Sequence, residues 1–160
     1  MSRPSFETID LAKNGAVACR YREDSFVISF GHADDFHAMG AEKYLAWLAS
    51  RIETHPLGHV HIWVDGAIVG QMEARPLPKA PDVGYVNLYY LAPDWRGKGL
   101  SDAMDAYICD WLKTCGCRVL RLSVSPNNGR ALKFYRRRGW VDRGLRPDNP
   151  DVLTMEKTLV

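Results

Sequence analysis

The chain lacks the long apolar run of a membrane-spanning helix: none of its 160 residues lies in a stretch approaching the roughly 20 consecutive apolar positions required. It has no block of one charge either. Lys and Arg number 21 against 19 Asp and Glu, a formal net charge of +2, which gives no basis for a nucleic-acid or membrane partner. The N-terminus lacks the charged-then-apolar pattern of a secretory signal, so a cytoplasmic location is the expectation. Cysteine is sparse. Cys19, Cys109, Cys115 and Cys117 have no paired metal-ligand spacing, so reduced thiols and no metal are expected. No internal repeat or low-complexity segment occurs. Two phosphate-binding signatures are missing as well: there is no G-x-x-x-x-G-K-[ST] loop, and Gly97-Lys98-Gly99-Leu100-Ser101-Asp102 lacks the third glycine of a dinucleotide fingerprint.

What the chain does have is an apolar content of 46%, enough for a core, and a length suited to one domain over residues 1–160. Its organising stretch is 85–101. Tyr85-Val86-Asn87-Leu88-Tyr89-Tyr90-Leu91 is rich in aromatic and β-branched residues and reads as a strand. Pro93 ends it, Arg96-Gly97-Lys98-Gly99-Leu100-Ser101 follows, and apolar residues then fall at Leu100, Ala103, Met104, Tyr107, Ile108, Trp111 and Leu112 with helical spacing. Two glycines at the mouth of a helix let bare N–H groups converge on an anion, with the positive end of the helix dipole behind them. Arg96 and Lys98 add charge. The turn predicts a diphosphate guest; the alternative is a helix entry whose glycines serve turning alone.

Ahead of this stretch, residues 1–15 are polar, with Phe6 and Ile9 as anchors. Residues 16–21 and 26–30 read as two strands joined by Arg22-Glu23-Asp24-Ser25. Asp34 or Asp35 can cap a helix running to about Glu53, with Gly40 as a splitting point and Pro56 and Gly58 stopping it. Residues 59–64 and 67–74 flank Asp65-Gly66, a strong hairpin signal, and a proline-rich loop at 76–81 leads to the strand ending at Leu91. The long helix closes at Gly116. A strand over 119–124, a helix over 128–138, a strand from Trp140, a loop at 146–150 and a strand over 153–159 complete a mixed α/β pattern.

Two segments resemble the signatures of a known family. Arg96-x-x-Gly99-x-Ser101 is similar to the Q/R-x-x-G-x-G/A pattern of the GNAT superfamily of acetyl-CoA-dependent N-acyltransferases, with Ser101 in place of Gly or Ala. Asn128-Gly129-Arg130-Ala131-Leu132-Lys133-Phe134-Tyr135-Arg136-Arg137-Arg138-Gly139-Trp140 resembles that family's N-x-x-A-x-x-x-Y-x-x-x-G-F segment, with Trp140 in place of Phe. With their strands the two cover residues 83–141, in the family's order. The resemblance implies an α/β (mixed α+β) fold with a central, mostly antiparallel sheet, splayed in the middle and flanked by helices. It implies an N-acetyltransferase that moves the acetyl group of acetyl-CoA to a primary amine of a small molecule or protein by direct attack, without a metal, as a monomer or homodimer.

The same resemblance distributes roles. Backbone groups of Tyr89, Tyr90 and Leu91 would bond the pantetheine and acetyl groups. The N–H groups of Gly97, Gly99, Leu100 and Ser101 would hold the pyrophosphate, helped by Arg96 and Lys98. Asn128 would contact the pantetheine arm, and Tyr135 would donate a proton to the departing thiolate. The alternative for Tyr135 is a packed phenol with its hydroxyl merely satisfied. Arg136-Arg137-Arg138 either reaches the adenosine phosphate or forms a solvated helical face.

A free thiol titrates near about 8.5 and a phenol near about 10, so a phenol can donate as the thiolate leaves. The base is less directly legible. Many relatives carry a glutamate where this chain has Tyr85. Symmetric pairing of 67–74 with 83–91 sets Glu73 beside Tyr85 and Gln71 beside Asn87, four residues able to line one polar patch for a cationic amine. Glu73 is the base candidate, directly or through a water; otherwise it is a solvated carboxylate near a strand end. The loop 146–151 borders the acceptor side in relatives, so Asp148 would add a second negative charge there. The missing glutamate also keeps open a second class, a catalytically silent acyl-CoA-binding sensor or interaction module of the same fold.

Overall fold

The computed structural model describes residues 2–160. Its first helix is a correction to the two strands expected over 16–21 and 26–30. Strand β1 (Ser5–Thr8) is followed by α1 (Leu11–Phe30), which runs straight through both segments. Arg22-Glu23-Asp24-Ser25 contains no glycine or proline to reverse the chain. Instead Asp10 caps the helix by accepting the Lys13 N–H at 3.1 Å, and Gly31, at φ 81°, closes it in the left-handed conformation. Ala18 and Tyr21, three residues apart, bury one face. The β-branched and aromatic residues that suggested strands are tolerated because packing overrides propensity.

Helices α2 (Asp34–Met39) and α3 (Ala41–Thr54) follow, broken at Gly40 with φ 87°. Then come β2 (His59–Val64), β3 (Ala67–Leu77), β4 (Ala80–Leu91), α4 (Leu100–Thr114), β5 (Val119–Val124), α5 (Gly129–Arg137), β6 (Val141–Arg146) and β7 (Asn149–Thr158). Two expected loops shrink to turns: Pro78 and Lys79 alone separate β3 from β4, and Pro147 and Asp148 alone separate β6 from β7. Strand prolines are accommodated because they fall towards strand ends.

The hydrogen-bonded strand order is β1-β2-β3-β4-β5-β7-β6, a seven-stranded, mostly antiparallel sheet flanked by helices, which is the fold class expected. The chain divides into two compact units. One ends at Glu73 and resumes over Leu88–Met104; the other comprises Ala74–Asn87 and Asp105–Val160. In the first unit β1 and β2 pair antiparallel, as do β2 and β3, with His59 opposite Glu73 and His61 opposite Gln71. Its core gathers Ile9, Ala18, Ala33, Phe36, Tyr44 and Leu48. Gly70 is required there, since a Cβ would stand 2.5 Å from the Tyr90 carbonyl oxygen.

In the second unit β4 and β5 run parallel, from Val83 opposite Val119 to Val86 opposite Leu122, and β5 pairs antiparallel with β7, which pairs with β6. Ile108, Leu112, Leu120 and Met155 are fully buried. Among the described residues no helix is long and apolar enough to cross a membrane, and no three His, Cys, Asp or Glu side chains are grouped to hold a metal.

Candidate active site

The glycine turn lies in the first unit. After β4, a 3-10 turn at Pro93–Trp95 leads to Gly97 at φ 74° and Gly99 at φ 83°, and α4 begins at Leu100. The first N–H groups of a helix have no carbonyl partner within it, so they face outward from this mouth. Leu100 is buried and anchors the helix start. A Cβ built on Gly99 meets nothing within 4 Å, so there is open space beside that residue. The residues present fit a diphosphate: first-turn donors with no helical partner, left-handed glycines and open space beside Gly99.

Arg96 has a further use. Its Nε donates to the Leu91 carbonyl at 2.9 Å, its Nη2 stands 3.7 Å from Asp24 Oδ2, and its guanidinium lies over the Tyr90 ring. Tyr90 Oη donates to the same Asp24 oxygen at 2.5 Å. Burial, then that hydrogen bond, pushes the Tyr90 phenol above its usual range. Arg96 thus braces the turn against β4 and α1 instead of standing as a free cation. Lys98 Nζ sits 5.1 Å from the Trp95 ring centroid. Tyr89 is half-buried.

Glu73 and Gln71 come together in the same unit, both fully buried. Tyr44 Oη of α3 donates to Glu73 Oε2, and Gln71 Nε2 donates to that oxygen at 3.0 Å and to Tyr44 Oη at 2.9 Å. Arg22 Nη1 of α1 stands 3.7 Å from Glu73 Oε1. Because the Gln71 amide nitrogen is spent on Tyr44 and Glu73, its Oε1 must accept, and His61 Nε2 donates to it at 2.8 Å. Burial and the Glu73 carboxylate push the Tyr44 phenol well above its usual range, so it stays a donor.

His59, opposite Glu73, donates from Nδ1 to the His55 carbonyl at 2.8 Å. Burial lowers its pKa to about 4. The unfolded imidazole titrates near about 6.5, so between these values the unfolded state binds the extra proton and stability falls as pH drops. Acidification from pH 6.5 to 4 is expected to remove about 3 kcal/mol through this residue alone, and His59→Gln should flatten that segment of a denaturation-versus-pH curve.

Tyr135 belongs to the second unit, buried on α5. Its ring meets Trp140 edge-on, with centroids 5.8 Å apart at 61°. Burial, then the Asp105 carboxylate, pushes its phenol far above the usual range, so it keeps its proton throughout the physiological interval. Asn128 uses its side-chain oxygen to cap α5, accepting the Ala131 N–H at 3.3 Å. The Tyr85 hydroxyl pairs with Ser123 Oγ at 2.7 Å. Asn87 is half-buried. Asp148, on the β6–β7 turn, is bound by Arg146 at 2.5 Å, which offsets its charge. The arginine run splits: Arg136 pairs with Asp142 at 2.7 Å, and Arg138 with Asp105 at 3.1 Å.

The glycine-mouthed helix follows the fourth strand, and the buried tyrosine stands on the next helix, α5, in the order of the two sequence motifs. Residues 19–140 match the Acetyltransferase (GNAT) family, and the chain belongs to it. Over 115 residues it is 24% identical to an uncharacterized N-acetyltransferase of Methanocaldococcus jannaschii. That match takes in 64% of this chain but 46% of the relative, so the chain spans about half that protein's length. Among solved structures, PaiA N-acetyltransferase from Thermoplasma acidophilum in complex with coenzyme A has a TM-score of 0.80 at 14% identity, over 98% of this chain and 99% of that one. For yncA of Salmonella typhimurium, solved with its cofactor acetyl-CoA, the TM-score is 0.74 at 16% identity, over 99% and 95%. For the ribosomal-protein-alanine N-acetyltransferase of Brucella melitensis it is 0.75 at 18% identity, over 97% and 99%. At these identities the likeness is one of fold.

Sequence reasoning missed Tyr44 and Arg22 around Glu73, and Asp105 around Tyr135. For Asp105 a signal existed. It lies three residues before Ile108 and seven before Leu112, so an acid stands on the apolar face of α4. No local pattern connects α1 and α3 to a glutamate on β3.

Proposed function

We propose that the chain transfers the acetyl group of acetyl-CoA to a primary amine of a small molecule or peptide. The observation that carries this reading is the open glycine turn, with left-handed Gly97 and Gly99 before the bare first-turn amides of α4, in a chain of the GNAT family. The N–H groups of Gly97, Gly99, Leu100 and Ser101 hold the diphosphate, with Lys98 adding charge and Arg96 bracing the turn. Tyr89, Tyr90 and Leu91 present backbone to the pantetheine arm, Asn128 touches the arm, and Gln71, Tyr85, Asn87 and Asp148 belong to the acceptor side.

In this reading the amine nitrogen bonds to the thioester carbonyl carbon as the carbon–sulfur bond breaks. Tyr135 Oη gives its proton to the leaving sulfur, and its retained protonation supports the role. Glu73 takes the amine proton. A fully buried carboxylate favours doing so through a water; the receiving atom in this reading is Oε1, which carries the Arg22 ion pair at 3.7 Å, since Oε2 is filled by Tyr44 and Gln71. Glu73→Gln keeps an acceptor for Tyr44 but cannot take a proton. Its turnover is expected to fall most at low pH and recover partly at high pH, where more amine is already free. A uniform loss across the pH–rate profile would assign Glu73 to positioning, and no loss would remove it from the mechanism.

One observation favours a second reading, an acyl-CoA-binding module without turnover. Glu73 Oε2 is filled by Tyr44 and Gln71, as a structural carboxylate would be. Thiol release from acetyl-CoA with a mixed amine panel separates the two.

A further inference from the structure

We propose that Asp105 and Trp140 are positioning residues for Tyr135, an inference that rests on reading Tyr135 as the proton donor. Asp105 lies on the core-facing side of α4 with its side chain fully buried. A buried carboxylate is costly, and an apolar residue of similar size serves stability as well or better. This one is held by three donors, two from the turn between α5 and β6 and one from β7. Arg138 Nε at 3.1 Å and Lys157 Nζ at 2.8 Å both meet Oδ2, while Trp140 Nε1 donates to Oδ1 at 3.2 Å.

Two cations on one oxygen already balance the charge. The indole N–H therefore adds direction: it fixes the orientation of the Trp140 ring, which packs against the Tyr135 ring in an edge-to-face arrangement. The main chain closes the same circuit, because the Tyr135 carbonyl accepts the N–H groups of both Trp140 and Arg138 at 3.0 Å. Both residues that grip Asp105 from this turn are thus hydrogen-bonded to Tyr135 itself. The phenylalanine of the resembled pattern could pack against the tyrosine but could not bond Asp105. The tryptophan at 140 and the acid on the apolar face of α4 are two departures that explain each other.

The test is a double-mutant cycle in steady-state turnover, using an amine acceptor found with the panel. Trp140→Phe is expected to lower kcat about tenfold while KM for acetyl-CoA stays within about twofold. In a Tyr135→Phe background the same change should cost no further turnover, because Trp140 acts only through the hydroxyl already removed. Wild-type kcat in Trp140→Phe, or losses that multiply in the double variant, would overturn the inference while leaving Tyr135 as donor. Wild-type kcat in Tyr135→Phe would overturn both. Should Trp140→Phe fail to fold, benzothienylalanine at position 140 keeps the fused ring, deletes the N–H, and yields the same comparison.

Discussion

Gly99→Val is expected to abolish the rise in melting temperature that acetyl-CoA gives the wild-type protein. A ligand that binds only the folded chain stabilises it by mass action, so the shift reports the turn directly. Two effects act together. A β-branched residue at φ 83° is strained by about 1–2 kcal/mol, and its side chain fills the open space beside that position, where backbone must approach a phosphate. Strain alone is controlled by Gly31→Val at the end of α1, where φ is 81° and a Cβ likewise meets nothing within 4 Å. Both variants should lose similar intrinsic stability. Only the Gly99 variant should lose its response to acetyl-CoA, and a normal response there would mean that the glycines serve turning alone.

Tyr135→Phe should leave acetyl-CoA affinity nearly intact and reduce kcat on the order of ten- to a thousandfold, the range for loss of a positioned acid. The phenyl ring still packs against Trp140, so the change is confined to the hydroxyl. The raised pKa of the phenol adds a pH expectation: in the wild type no alkaline loss of activity below about pH 10 should trace to Tyr135, because the group does not ionise there. Unchanged kcat would leave the amine itself or a water as the proton source.

The parts of the fold set by short-range rules were legible. Asp65-Gly66 marked the β2–β3 hairpin, Gly40 marked the break between α2 and α3, and the spacing from Leu100 marked α4. Helix α1 was not, because its β-branched and aromatic residues match strand propensity, whereas its identity depends on the Asp10 cap, the Gly31 stop and the burial of Ala18 and Tyr21. Proline-rich segments misled for a related reason: Pro76, Pro78, Pro81, Pro147 and Pro150 lie at or beside strand ends, so two tight turns looked like longer loops.

The candidate site divides along the same line. Gly97, Gly99, Asn128 and Tyr135 stand in contiguous motifs and could be named from sequence. Tyr44, Arg22 and Asp105 reach their partners only through tertiary packing, across sequence separations no local pattern encodes. Gln71 and Glu73 are named from sequence through the pairing of 67–74 with 83–91, whereas the hydrogen-bonded network with His61 and Tyr44 that holds them, fully buried, is visible only in the structure.

The most direct test of acetyl transfer is a single incubation of the protein with acetyl-CoA and a panel of small amines and amino-terminal peptides, read by free-thiol release and by product mass. One or more amines are expected to gain the mass of an acetyl group in step with thiol release, with no such product from Gly99→Val. Binding of acetyl-CoA with no acetylated amine across the panel and no thiol release above the uncatalysed rate would contradict acetyl transfer, and would identify the protein as an acyl-CoA-binding module.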